Sequence, residues 1–599
     1  VQQTTVPTGS DAVHFASNCT NNATIDSAFS VTSIDINSGY SGTVTQSAAI
    51  TTSAAFTVAG GTFTGGSANI TVGSAFAMSG TSTFTASSGT MYVATNINIG
   101  SSNTFNHNSG TVEVNSGSTT SVTVPTGTTF NSFTCNKSSA NVTFTGTGSA
   151  WTVNMAGNFA CNSANNVYYS SGQVTFDVKG NVTLNSSIGT YEPWQTFSGT
   201  ADQTFSDSGN NLSGRTVRMN KTAGKVSLGA NWTVPTFTFT QGTFDVNGYT
   251  LTTANSITVC SNSCAFQLQG GETLAATPTF NDNSKVIYDG TSGPYTILNW
   301  SEFTDNDTVE IDLTIAGGAS TVFTLPANFN DINDLTITSG IFSLGGYNLT
   351  MDGTFSNNAT FRQRGAETIS GLTQDVNSGT WEYVGDGDSA ADSYDVTNYG
   401  VSADYYNLKI SSVDAADTYT ASAINLAVNG SFTLSEGTFT APTAGNDFFV
   451  TGNFTRSGGT FNANTGLITL DGTSQTITGS TTFVDFTKTV TAQDTLTFAA
   501  SSTTTITGTL TLDGGTNCSN LLLLRPASGT AEIDVSGGTP AVSDVDIQNV
   551  TSTATAAVTG NYKNAGTVTN WDFTGGTDCD AAAYPRRLIL GYDSESLFD

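Results

Sequence analysis

The chain has 599 residues, 16 of them lysine or arginine and 46 aspartate or glutamate, for a formal net charge of −30; only 10% are charged, against about a quarter in ordinary soluble domains. That balance excludes a nucleic-acid binder, which needs a basic footprint to release counterions, and it excludes anionic membrane surfaces as partners. No apolar run reaches the roughly 18 residues of a membrane span, so no membrane span is expected.

Thr, Val, Phe and Tyr favour strands and Gly and Asn favour turns, so the chain reads as all-β. Residues 1–30 are read as an N-terminal segment or cap; they carry Cys19, the odd one of seven cysteines. The start at Val1 rather than Met suits a secreted product whose signal has been removed. Seven cysteines in such a chain suggest an oxidising compartment.

From residue 31 to 573 the sequence restates itself. Gly-Thr before an aromatic or aliphatic residue stands at Gly61, Gly89 and Gly110, and again at Gly437 and Gly459, at intervals of 28, 21 and 22. Longer echoes are SGTVEVNS (109–116), FSGTADQTF (197–205), YDGTSGPYTI (288–297), SGTWEYVG (378–385) and LDGTSQTI (470–477). They place Val114, Phe197, Tyr288, Tyr383 and Leu470 at intervals of 83 to 95. GTFDVNGYTLT (242–252) returns as GIFSLGGYNLT (340–350), and FQLQGGETL (266–274) as FRQRGAETI (361–369).

A period near 22 is one rung of a β-solenoid, a parallel β-helix, and about four rungs make the longer super-repeat. Alternation such as Phe237-Thr238-Phe239-Thr240 sends apolar side chains inward and threonines outward. Tandem immunoglobulin-like β-sandwiches are the alternative, because one sandwich has about the length of the long period. The 22-residue sub-period and the low proline count, 11, favour the solenoid.

Cysteine spacing follows from this reading. Cys135 and Cys161 lie 26 residues apart, about one rung, and are predicted to bridge neighbouring rungs. A strand spacing of about 4.8 Å falls within the Cα separations of disulfides. Cys260 and Cys264 would close a five-residue loop, and Cys518 and Cys579 flank the C-terminal end of the array. No cofactor is required by any motif, and calcium is the candidate cation. GDGDSAAD (385–392) offers Asp386, Asp388 and Asp392, and TDNDTVEID (304–312) offers Asp305 and Asp307 with Asp312; oxygen-rich loops suit a hard ion. SDVDIQN is read as placing Asp544 and Asp546 on one strand face. Asn-x-Thr triplets recur, as at Asn181, Asn231, Asn348 and Asn453, at about the frequency that Ser/Thr abundance yields by chance. Residues 574–599 leave the repeat. Their Arg586, Arg587, Leu588 and Leu590 are candidate assembly contacts, with Cys19, through strand addition to a neighbouring subunit, and a tail that caps its own last rung is the alternative.

LDGTSQTITGSTTFVDF (470–486), DYYNLKI (404–410), GTFDVNGYTLT and the closing NAGTVTNWDF (564–573) resemble the repeats of secreted prokaryotic cell-surface β-helix proteins, of the adhesin and surface-filament type. The resemblance covers most of residues 30–573, and it implies an extracellular structural or adhesive role without transferring a catalytic residue. The expectation is a secreted subunit that polymerises with itself into a filament, sheath or surface layer. An adhesin stalk that binds glycans or a cell envelope is the alternative, and a β-helical polysaccharide-degrading enzyme a third reading. The two histidines, His14 and His107, have no nucleophile motif beside them, so no enzyme is expected.

Overall fold

In this computed structural model the structure describes residues 6–580, apart from 138–139, 147–149, 163–165, 170–171, 186–187, 210, 213, 235, 254–256, 276–277, 305–308, 398–403 and 422–423. The chain is a parallel β-solenoid of about 25 turns, with rungs about 21 residues apart. Helix among the described residues is one 3-10 turn, Ser301–Phe303. Neighbouring rungs pair in parallel, as at Phe56–Val58 on Phe76–Met78 and Phe448–Val450 on Leu467–Leu470. A sandwich would pair antiparallel strands, so that alternative falls.

The repeat array divides into two units: Val1–Phe323 with Asn330–Asp334, and Thr324–Phe329 with Leu335–Asp599. In the first unit a rung is a triangle of three short strands. Phe56–Val58, Thr62–Thr64 and Ile70–Val72 form one rung, and Phe76–Met78, Thr83–Thr85 and Thr90–Val93 lie directly on it. In the column through Thr62–Thr64 the inward residue is phenylalanine on every rung from Phe63 to Phe105. Phe63 and Phe84 lie 4.8 Å apart with rings 10° from parallel, and Phe84 continues to Phe105 at 6.1 Å. The second unit builds the same ladder from Phe439 and Phe461. Removing such a fully buried ring costs about 3–5 kcal/mol.

Strand pairing extends past both bounds drawn from the sequence. Ala12–Phe15, Ala23–Ile25 and Phe29–Val31 already form a complete first rung on their neighbours. At the other end Gly576–Asp578 still pairs with Gly560–Tyr562, so the array runs past residue 573.

The Gly-Thr signature has a steric cause. A Cβ on Gly110 would lie 1.9 Å from the carbonyl oxygen of Ser87, one rung below, and one on Gly459 (φ +60°) would lie 2.5 Å from that of Gly437. Backbone passes over backbone at these corners, and only glycine fits.

The paired echoes form one device. In the first unit the Glu272 carboxylate accepts from the N–H of Gly248, one rung below, at 3.0 Å, and from Gln269 and Gly270 in its own loop. In the second unit Glu367 accepts from Gly346 at 3.0 Å and from Arg364 and Gly365. Each G-G-E-T or G-A-E-T glutamate therefore closes the glycine turn of the preceding rung. The five long-period residues share a local role, since Val114, Phe197, Tyr288, Tyr383 and Leu470 each end a strand and are buried. They do not share one column: Val114 stacks on Cys135, whereas Phe197 stacks between Val178 and Met219.

Asn-x-Thr triplets also gain a structural reason. Asn181 donates its backbone N–H to the side chain of Asn158 and accepts from Thr204 N–H through Oδ1, both at 2.8 Å. Asn231, Asn348 and Asn453 accept from the next rung in the same way. The asparagine is a corner post, and the threonine two residues on faces outward from the strand that follows. Asn181→Ala is expected to cost about 1 kcal/mol, one net hydrogen bond, and Asn181→Asp, which keeps the acceptor, to cost less. Urea unfolding of the two variants checks the order.

Candidate functional site

The predicted cation loop is assembled differently from its sequence. Asp386 and Asp388 come together with Asp414, their carboxylate oxygens all within 4.8 Å, and Asp392 is not part of the group. Asp414 arrives from the next rung and also accepts from Ser389 N–H at 3.1 Å. The Asp392 carboxylate accepts instead from the Tyr394 hydroxyl, and its backbone N–H donates to Asp417 Oδ1 at 3.2 Å. Partial burial, with the charges of Asp388, Asp386 and Asp417, pushes its carboxyl above the usual carboxylate range. Asp386 and Asp388 are exposed and Asp414 is half-buried.

Asp305 and Asp307 lie outside the described residues, as do Arg586, Arg587, Leu588 and Leu590. Asp312 is held by the side-chain amide of Asn333 at 2.9 Å. Asp544 and Asp546 do not share a face. The register breaks between Ser543 and Val545, and Asp544 adopts φ +51°, the signature of a bulge. Asp544 is thereby buried and accepts from the backbone and side chain of Asn561, while Asp546 pairs with Arg525 at 2.7 Å.

Two of the three predicted disulfides are present: Cys260–Cys264, with Cα atoms 5.3 Å apart, and Cys518–Cys579, at 5.6 Å. Cys135 and Cys161 are register partners on neighbouring rungs, as the spacing predicts, but both are free thiols, as is the exposed Cys19. The reason is directional. In-register parallel strands hold their Cα–Cβ bonds side by side, so the Cβ atoms stay near the strand spacing of about 4.8 Å. A disulfide needs them at about 3.8 Å.

Three fully buried lysines escaped the sequence reading. Lys221 gives its ammonium hydrogens to Gly199 O, Ala201 O and Gln203 Oε1 at 2.6, 2.8 and 2.7 Å. Lys488 repeats the arrangement in the second unit, bonded to Gly472 O, to Gln475 Oε1 at 2.7 Å and to Asp494 at 2.8 Å. Lys137 sits on the Ser116–Thr120 loop through Thr120 Oγ1 at 2.6 Å. Each plugs the loop that follows one of the long-period strands. Gln475 also donates to Val450 O and Gly452 O on the rung below, so one amide ties three rungs together. The signal was legible: Phe486-x-Lys488, Met219-x-Lys221 and Cys135-x-Lys137 place each lysine on the inward phase of its strand.

Beside Lys488 the second unit opens a groove of about 740 Å³, lined by Asp471, Thr489, Thr491, Gln493, Asp513 and Asn520 among others. Its carboxylates are engaged. Asp471 accepts from Thr451, Asp513 from Ser543, and Asp494 pairs with Lys488. The lining offers hydroxyls, amides and backbone groups, which suit an uncharged polar ligand.

Fold and site together define a disulfide-bearing parallel β-solenoid repeat protein. The chain matches no family model, no curated protein and no solved structure.

Proposed function

We propose that the chain is a secreted, non-enzymatic structural subunit that packs against copies of itself in an extracellular filament, sheath or layer. The observation that carries the proposal is a threonine face that is free of charge on the first unit. In the first unit Thr43, Thr62, Thr83 and Thr104 form one outward column, and Thr45, Thr64, Thr85 and Asn106 a second beside it. The second unit carries a shorter version, Thr418, Thr438 and Thr460 with Thr420, Thr440 and Asn462, which ends where the exposed Asp395 stacks on Thr420. Threonine is stiff about χ1, so such a face presents methyls and hydroxyls at fixed spacing. A flat neutral surface on a chain of net charge −30 is where copies can meet with least repulsion. Disulfides and a low-charge composition accord with an oxidising, extracellular setting.

The charge sets the expected behaviour. Assembly should be opposed at low ionic strength and promoted by screening or by divalent cations, calcium among them. Asp386, Asp388 and Asp414 are the proposed site for such an ion. Thr64→Asp with Thr85→Asp puts two carboxylates on the face and is expected to leave folded subunits that no longer assemble under conditions where the wild type does. Negative-stain microscopy with circular dichroism reads both. Unchanged assemblies from this variant, or a wild type that stays monomeric at every salt concentration, would remove the proposal.

An adhesin is the second reading, favoured by the polar groove at Asp471–Asn520. Glycan-array binding that is lost on filling the groove, as with Thr491→Trp, would support it.

A further inference from the structure

We propose that Cys135 and Cys161 form a buried two-sulfur site for a single soft monovalent metal ion, with Cu(I) as the fitting ion. Both side chains are fully buried, on the inward phase of strands Ser132–Cys135 and Phe159–Cys161, and they are direct partners across the rung. The geometry that refuses a disulfide suits an ion between the sulfurs. Two metal–thiolate bonds of about 2.3 Å each, the length known for zinc thiolates, let the two sulfurs bracket one ion without the close Cβ approach that a disulfide needs. Zinc would require four ligands. Among the described residues no further His, Cys, Asp or Glu completes a ligand group with these two. Two thiolates in line suit a soft ion that accepts two-coordination.

A second observation points the same way. Tyr191 is 1% exposed, and its hydroxyl has no hydrogen-bond partner among the described residues. It is a buried donor without an acceptor, within electrostatic reach of both sulfurs, which accept well only as thiolates. Charge also balances. On binding, two S–H bonds break, both protons leave to solvent, two metal–sulfur bonds form, and the oxidation state of the ion is unchanged. The resulting single negative charge has a compensating cation nearby in the buried Lys137, two residues along the chain.

The test uses the full chain with Cys19→Ser, which removes the exposed thiol. It is refolded anaerobically with Cu(I) and then challenged with bicinchoninate. One retained equivalent is expected, with two sulfur neighbours in copper X-ray absorption. Cys135→Val and Cys161→Val, which extend the aliphatic column begun by Val114, are each expected to abolish retention. Tyr191→Phe is expected to weaken it about tenfold, as losing an outer hydrogen bond does. No retained copper, a nitrogen or oxygen shell in the wild-type spectrum, or a native mass lower by two hydrogens from a Cys135–Cys161 disulfide would each overturn the site. The absorption spectrum decides the matter on the wild-type sequence even where a valine variant fails to fold.

Discussion

Replacing Lys488 with alanine is expected to destabilise the second unit by about 3–5 kcal/mol, the cost of leaving a buried charge without its partner. Lys488 is fully buried and its partner Asp494 nearly so, and the substitution also orphans Gln475 Oε1 and the carbonyl of Gly472. Lys488→Met combined with Asp494→Leu should recover most of the loss, because replacing both ions with apolar groups avoids the desolvation penalty. Burial raises the Asp494 carboxyl, but the hydrogen bond from Lys488, followed by those from Ser474 and Thr495, lowers it further, for a net depression below its ordinary value. A carboxylate depressed in the folded state contributes stability that is full above its unfolded pKa of about 3.9 and is lost as pH falls through the folded value. Acid sensitivity below about pH 4 should therefore shrink in Asp494→Asn. Chemical denaturation across pH reads all three variants, and a Lys488→Ala protein as stable as the wild type would show that the plug is dispensable.

The second large effect is expected at the C-terminal end. Cys518 and Cys579 close a separation of 61 residues, and by the chain-entropy argument such a bridge contributes about 4 kcal/mol. In a solenoid each rung rests on its neighbours, so the loss should be local. Cys518→Ser with Cys579→Ser should speed amide exchange in the strands from Leu522–Pro526 to Gly576–Asp578, while the first unit keeps its protection. Removing Cys260–Cys264, separated by only four residues, should cost about 2 kcal/mol by the same argument. Uniform loss of protection along the chain would contradict the local picture.

Much of the architecture was readable in one dimension because a solenoid's contacts recur at a fixed separation. Alternation such as Thr62-Phe63-Thr64 gives the inward phase, and Gly110 marks a corner where nothing larger fits. The site was less readable wherever a partner comes from a different rung at an irregular distance. Asp414 replaces Asp392 because loop length, which no residue type announces, decides which carboxylate reaches back to Asp386. Asp544 and Asp546 part because one bulged residue reverses a face. Cys135 and Cys161 were correctly stacked, yet the bond depends on the direction of Cβ, which spacing does not carry. Lys137, Lys221 and Lys488 were missed for a different reason: alternation placed them inside, but a lysine is ordinarily read as solvated.

The glutamate lids give the chain a direction in time. The turn at Gly248 receives its carboxylate from Glu272, and that at Gly346 from Glu367, always from the later rung. A polypeptide emerging N-terminus first therefore leaves every such turn open until the following rung arrives. Completion trails emergence by one rung, and the newest rung serves as a template awaiting its successor.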